Sequence, residues 1–258
     1  MKTPRKSTRA SGLGTSRLGH HVALVTGATR GIGLAIARAL AAEGCALILT
    51  ARDPSALSRV SRELARLGKT TATGIRILAH PCDVRDPHSV DALFRSVRRR
   101  FRRLDILINN AGIAHANLPV DKLPFPVWKD VVETNLDGIF LVTQAALVLM
   151  KRGGTIVNNL SIAASRVFAG SAAYNSSKHA ALGLTDTLRE ELRPRGIRVI
   201  GLFPGATDTD IWKTLWPRAP RRKMMSPETV AHAVVEAILL PPNATVETLE
   251  ILPSAGPL

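Results

Sequence analysis

The chain has only two cysteines, Cys45 and Cys82, a single tyrosine, and 4% aromatic residues. So little cysteine excludes a disulfide scaffold, and no Cys/His spacing fits a zinc site. No metal is therefore expected. No unbroken apolar run approaches the roughly 18 residues a membrane helix requires. The richest stretch, from Ile139 to Met150, is interrupted by Thr143 and Gln144. Acidic residues are scarce: 20 Asp+Glu stand against 35 Lys+Arg, a formal net charge of +15. What remains is 258 residues, 45% hydrophobic and 21% charged. That is a globular composition, of a length that suits one large domain.

Part of the positive charge is local. Lys2, Arg5, Lys6, Arg9 and Arg17 fall in an opening rich in Ser, Thr and Gly, with no acid and no apolar run. Without an apolar core this is not a secretory signal, and Pro4, Gly12 and Gly14 make it a poor amphipathic helix. Residues 1–20 are expected to form a basic, disordered tail, with a start-site artefact or a targeting segment left open. A second cluster, Arg98, Arg99, Arg100, Arg102 and Arg103, is expected to be a solvated helix C-terminus, where cations complement the dipole. No aromatics interleave it, so nucleic acid is not an expected partner. Both cysteines lie in or beside apolar strands and are expected to be buried, inert thiols.

From residue 21 onward, short apolar runs alternate with stretches of 3.6-residue periodicity. The runs are 21–26, 45–51, 75–80, 104–110, 154–160, 197–203 and 247–252; helical patterns include 34–43 and 180–193. Strands apolar on both faces belong in a parallel sheet covered on each side. The expected fold is α/β: a single doubly wound domain over 21–258, with a seven-stranded parallel sheet and helices on both faces.

The first strand runs into TGATRGIG, residues 26–33, and then a helix. Glycine lets the chain turn tightly and lets backbone approach a pyrophosphate at a helix N-terminus. An acid at the end of the second strand would accept from an adenosine ribose hydroxyl, whereas arginine accommodates a 2′-phosphate. Asp53 is followed by Pro54, a helix-start pattern that gives it a capping task. The strand end itself is Ala51, with Arg52 next and Arg30 in the glycine turn. Two guanidiniums favour NADP(H) over NAD(H).

The single tyrosine, Tyr174, is four residues before Lys178. On a helix the two share a face, so the ammonium would lower the phenol's pKa from about 10 and make it a usable general acid/base. Ser161 lies upstream at a strand end, where ligands bind in such sheets.

Taken in order and spacing, 26–33 (TGATRGIG), 82–84 (CDV), 109–112 (NNAG), 135–140 (NLDGIF), Ser161, 174–178 (YNSSK) and 204–209 (PGATDT) resemble the short-chain dehydrogenase/reductase family, over residues 21 to about 252. The resemblance implies a Rossmann fold and a ketone or aldehyde reductase, or alcohol dehydrogenase, using NADP(H). It makes Tyr174 the acid/base, Lys178 its electrostatic partner and a ribose ligand, and Ser161 a donor to the substrate oxygen. Asn135 would position Lys178 through a water. The cofactor would lie along Gly27, Arg30, Gly31, Ile32 and Gly33, with Arg52 at its phosphate. Asp83 and Val84 would meet adenine, and Asn110, Ala111 and Gly112 the adenosine ribose. Pro204, Gly205 and Thr207 would hold the nicotinamide, together with Tyr174 and Lys178.

Three positions depart from the family pattern. Residues 158–161 read NNLS where many relatives carry Ile-Ser-Ser; Arg102 stands where glycine is common; and the C-terminus lacks the Gly-Gly ending of many 3-oxoacyl carrier-protein reductases. Residues 205–226 would form a mobile lid with a solvated basic rim of Arg218, Arg221, Arg222 and Lys223; its Trp212, Trp216, Met224 and Met225 would also suit a hydrophobic carbonyl compound, and its arginines an acidic carrier or phosphate. A 3-oxoacyl thioester reductase and a non-catalytic nucleotide sensor are the alternatives. The resemblance further implies a cytoplasmic homodimer or homotetramer, with no membrane partner and a small-molecule substrate.

Overall fold

The computed structural model describes residues 16–67 and 75–256. Most of the expected basic tail, residues 1–15, lies outside them. Its last part does not behave as a tail: Leu18 is 3% exposed within the core, and the Ser16 hydroxyl donates to the Glu43 carbonyl at 2.7 Å. The apolar Leu18 side chain draws residues 16–20 onto the domain, so the folded unit begins earlier than the charge pattern indicates.

Seven strands, β1 (Val22–Thr26), β2 (Ala46–Ala51), β3 (Ile77–Pro81), β4 (Leu104–Asn109), β5 (Met150–Asn159), β6 (Arg198–Pro204) and β7 (Thr248–Ile251), form one sheet in the order β3-β2-β1-β4-β5-β6-β7. Every pairing is parallel. The order reverses between β1 and β4, the switch point at which a crevice opens outside the carboxyl ends of the strands.

Alternate residues feed two cores. Ala23, Val25, Leu47, Leu49, Ile106 and Ile108 pack under α1 (Gly31–Ala42), α2 (Pro54–Leu67) and, toward the C-terminus, α8 (Pro227–Ile238). Val22, Leu24, Ile48, Leu104 and Leu107 face α3 (Pro87–Arg100), α5 (Gly138–Ala146) and α6 (Ala172–Leu192). Central strands are buried on both faces, as expected. The edge strands differ: β3 is half-buried and β7 alternates exposed and half-buried, because each has a neighbour on one side only.

Three helices begin the same way. Asp86 accepts from the His88 N–H ahead of Pro87, and Ser226 accepts from the Thr229 N–H ahead of Pro227. Asp53, before Pro54, accepts from the N–H groups of Ser55 and Ala56 at 2.8 and 3.1 Å. Its carboxylate is spent on starting α2. At the other end of α3, Arg98, Arg99 and Arg100 occupy the last turn, and Arg102 adopts φ 59°, the left-handed region. Arg102 is the one non-glycine residue among those described with a positive φ.

α4 (Phe125–Val132) does not continue directly into α5. The turn Glu133–Asp137 widens to π-helical geometry, and the Thr134 hydroxyl donates to the Asp130 carbonyl at 2.7 Å. Local widenings of this kind re-aim a side chain; here the residue at its centre is Asn135.

Candidate active site

A cavity of about 1300 Å³ opens at the carboxyl edge of the sheet. Toward β1, β2 and β3 it is lined by Gly27, Arg30, Gly31, Ile32, Arg52, Asp83 and Val84. Asn110, Ala111 and Gly112 line its middle, and Ser161, Tyr174, Lys178, Pro204, Gly205 and Thr207 the side of β5 and β6. Gly33 and Asn135, both expected at the site, lie behind its wall.

Gly27 and Gly31 take φ of 63° and 55°, which side chains other than glycine rarely adopt. Gly33 is needed for a different reason: a Cβ there would stand 2.3 Å from Asn110 Nδ2 and 2.5 Å from the Gly27 carbonyl oxygen. The room so made is filled by the Asn110 amide, which donates to the carbonyls of Thr26 and Gly27 at 2.9 and 3.2 Å. The Thr26 hydroxyl accepts from the N–H groups of Asn110 and Ala111, both at 2.9 Å. Thr26 was not among the expected site residues, although it opens the motif.

α1 starts with no side-chain cap and no acid in its first turn. Its free N–H groups and the positive end of its dipole suit a phosphate group. Arg30 and Arg52 are joined on the cavity wall by Arg59 from α2, which the sequence reading missed. Asp83 is held by Arg85, whose guanidinium also reaches Asp130 at 2.9 Å. The hydrogen bond from Arg85 keeps the Asp83 carboxyl below the usual carboxylate range.

At the other end, Ser161 follows β5, and its Oγ accepts from the Ala163 N–H at 3.1 Å, so the hydroxyl proton remains available to donate. Tyr174 and Lys178 share the first turns of α6, a helix that begins well before the periodic stretch 180–193. Enclosure pushes the Tyr174 phenol above its ordinary pKa, and the Ser161 hydroxyl beside it pulls the other way. The expected depression by Lys178 is not a cause here. The Lys178 Nζ lies 5.7 Å from the tyrosine ring centroid and donates to the Asn159 carbonyl at 2.8 Å. Burial lowers the Lys178 ammonium itself to about 8.

Asn135 makes a set of direct contacts besides the water-mediated one expected of it. It is fully buried, its Oδ1 accepting from the Ile113 N–H at 2.8 Å and its Nδ2 donating to the Ile113 carbonyl at 2.9 Å and to Ser177 Oγ at 3.0 Å. Ser177 Oγ in turn donates to the Tyr174 carbonyl at 2.8 Å. Asn135 therefore ties the loop after β4 to α6, with Ser177 as its direct partner there. Gly112 fills the gap: a Cβ on it would lie 3.2 Å from Asn135 Oδ1 and 3.8 Å from Lys178 Nζ.

Below the cavity, Asn109 Nδ2 donates to Thr143 Oγ and Asn158 Oδ1, and Asn158 Nδ2 donates to Thr185 Oγ, all at 2.9 Å. This network joins β4 and β5 to α5 and α6. Its trace in the sequence is asparagine at the ends of two strands, after the apolar runs Ile106–Ile108 and Ile156–Val157.

In the segment 205–226, Trp212 Nε1 donates to the Thr207 carbonyl at 2.8 Å, and α7 (Trp212–Leu215) lines the cavity. Trp216 lines it too, 47% exposed. Met225, placed by the sequence in a mobile lid, is packed in the core with α1 and α8, because its N–H binds the Ala206 carbonyl and turns the chain inward. Val167, Phe168 and Leu252 complete an exposed apolar rim around the mouth.

A glycine turn on an uncapped helix, facing a Ser, Tyr and Lys across one cavity, defines a dinucleotide-dependent oxidoreductase. The short chain dehydrogenase family model matches residues 21–220, and the chain belongs to that family. It is 36% identical over 241 residues to the 3-oxoacyl-(acyl-carrier-protein) reductase FabG of Vibrio cholerae, covering 90% of this chain and 94% of that protein. Among solved structures, the alcohol dehydrogenase of the archaeon Thermococcus sibiricus, complexed with 5-hydroxy-NADP, is 32% identical with TM-score 0.83, covering 92% of this chain and 97% of that one. A Burkholderia cenocepacia short chain dehydrogenase in complex with NADP is likewise 32% identical with TM-score 0.83, over 93% and 99%.

Proposed function

We propose that the protein reduces a ketone or aldehyde to an alcohol, or catalyses the reverse, with NADP(H) preferred over NAD(H). The observation that carries this is the convergence of Ser161, Tyr174 and Lys178 on the cavity whose far end holds the glycine turn and three arginines. That end fits a dinucleotide: Gly27, Arg30, Gly31 and Ile32 would take the pyrophosphate, and Arg52, Arg30 and Arg59 a 2′-phosphate. When bound, the cofactor supplies the hydride that adds to the carbonyl carbon.

The chain's own residues manage the oxygen. Ser161 donates a hydrogen bond to it, a contact that strengthens as negative charge develops. Tyr174, protonated at neutral pH because enclosure raises its pKa, delivers the proton that completes the alcohol. Lys178 stands by the ring and offsets the phenolate that remains. Asn135 and Ser177 hold the Tyr174 backbone against the loop after β4.

The rim formed by Val167, Phe168, Trp216 and Leu252 favours an apolar substituent on the carbonyl. A 3-oxoacyl thioester is the second reading, supported by the FabG relative. We also propose a homo-oligomer, joined through the exposed Phe125, Phe140 and Val148 of the α4–α5 region. NADPH consumption by the pure protein over a panel of ketones, aldehydes and 3-oxoacyl thioesters, with NADH in parallel and Tyr174→Phe as blank, tests the activity. Turnover favouring NADH would overturn the cofactor preference.

A further inference from the structure

We propose that the Asn159 side chain is a positioning residue that couples the catalytic lysine to the glycine turn through Asn110. This rests on the NADPH reading above. Asn159 is the last residue of β5.

The amide orientations follow from the acceptors. Asn110 reaches two carbonyls, those of Thr26 and Gly27, so its Nδ2 must point at them and its Oδ1 must face away. The donor that meets this Oδ1 is Asn159 Nδ2, at 2.8 Å. The main chain of the same residue accepts from Lys178 Nζ at 2.8 Å. One residue thus holds the lysine with its carbonyl and the support of the glycine turn with its side chain. Its own Oδ1 is buried without a partner and Asn159 lines the cavity. A residue kept for packing alone would not leave a polar atom stranded in that wall.

An apolar side chain at 159 preserves the Lys178 contact but leaves Asn110 Oδ1 unpaired. Asn110 then keeps its two donor contacts but loses the restraint on its acceptor side, beneath Gly27 and Gly33, where a Cβ would stand only 2.9 and 2.3 Å from its Nδ2. The effect should appear in cofactor affinity more than in proton transfer.

The test is a double-variant cycle on NADPH dissociation constants, read by cofactor fluorescence, using Asn159→Ala, Asn110→Ala and the pair, with melting temperatures in parallel. Asn159→Ala should weaken NADPH roughly tenfold, the worth of one hydrogen bond and the acceptor it strands. It should add little once Asn110 is already alanine. Asn159→Ile should weaken NADPH similarly while leaving the alkaline limb of the kcat profile in place, since Lys178 keeps its carbonyl. If Asn159→Ala does not fold, the isosteric Asn159→Asp, which cannot donate when ionised, should show the loss at pH 8. Effects of the two alanines that multiply independently, or unchanged affinity in the single Asn159 variants, would overturn the proposal. Wild-type protein that binds no NADPH would overturn the cofactor reading instead.

Discussion

Lys178 Nζ donates to the main-chain carbonyl of Asn159 at 2.8 Å while lying 5.7 Å from the centre of the Tyr174 ring. The ammonium is thus anchored to the last residue of β5, two positions before Ser161, and lies beside the phenol ring. In the proposed reaction its charge would act when the tyrosine gives up its proton.

That arrangement fixes a pH dependence. Burial lowers Lys178 to about 8, and the charged form is the one that offsets the phenolate. The kcat/KM for carbonyl reduction should be level below neutrality and fall as pH rises through about 8. Stability should run the other way. A lysine whose pKa is depressed by folding destabilises the native state while charged, and that penalty is relieved between about 8 and its ordinary value near 10.5. Lys178→Met should therefore raise the melting temperature by a few degrees at pH 7 while abolishing most activity, as calorimetry and kinetics on the same sample would show.

Tyr174→Phe removes the proposed proton donor and nothing that shapes the glycine turn. Turnover should fall by roughly 10²–10⁴-fold, the usual share of general acid catalysis. NADPH affinity should stay within about threefold of wild type, less than a single hydrogen bond is worth, when followed by fluorescence titration.

The two residues after Ala51 should separate cleanly in their effects. Arg52→Ala, like Arg30→Ala and Arg59→Ala, should raise the KM for NADPH by roughly tenfold and leave NADH nearly unchanged, since each removes one charge-assisted contact to the 2′-phosphate. Asp53→Ala should cost about 1 kcal/mol of stability through the lost cap and leave the NADPH/NADH ratio alone. Steady-state kinetics with both cofactors, beside denaturant melts, distinguishes them.

Arg102 occupies left-handed backbone at φ 59°. Glycine takes that conformation without the roughly 1–2 kcal/mol penalty of an L side chain, partly offset by its greater freedom when unfolded. Arg102→Gly should stabilise the protein by about 1 kcal/mol in urea melts, with no change in kcat.

The α/β pattern, the glycine turn, and the Ser161, Tyr174 and Lys178 set were legible because each rests on local signals: strand-length apolar runs, turn chemistry, and helical spacing. Asp53 was legible as a cap for the same reason, since Asp-Pro starts a helix by its own backbone geometry. Arg102 was legible as a departure from glycine, and only the backbone showed that the departure is made in a left-handed conformation.

Other features depended on contacts between segments far apart in the chain. Leu18 joins the core because α1 and β2 leave a space for it, which no local pattern of charges reveals. Arg59 reaches the cavity wall because α2 lies along β2. Met225 turns inward because its backbone pairs with Ala206. Asn135 meets Ser177 because a π-helical turn aims it at α6. The link from Gly33 through Asn110 and Asn159 to Lys178 runs from α1 through the loop after β4 and the end of β5 to α6. By itself the sequence determined which chemical groups this protein would use and in what order the chain presents them. Tertiary structure decided which of them touch, since hydrogen bonds of about 3 Å between distant segments exist only once the sheet has set its register.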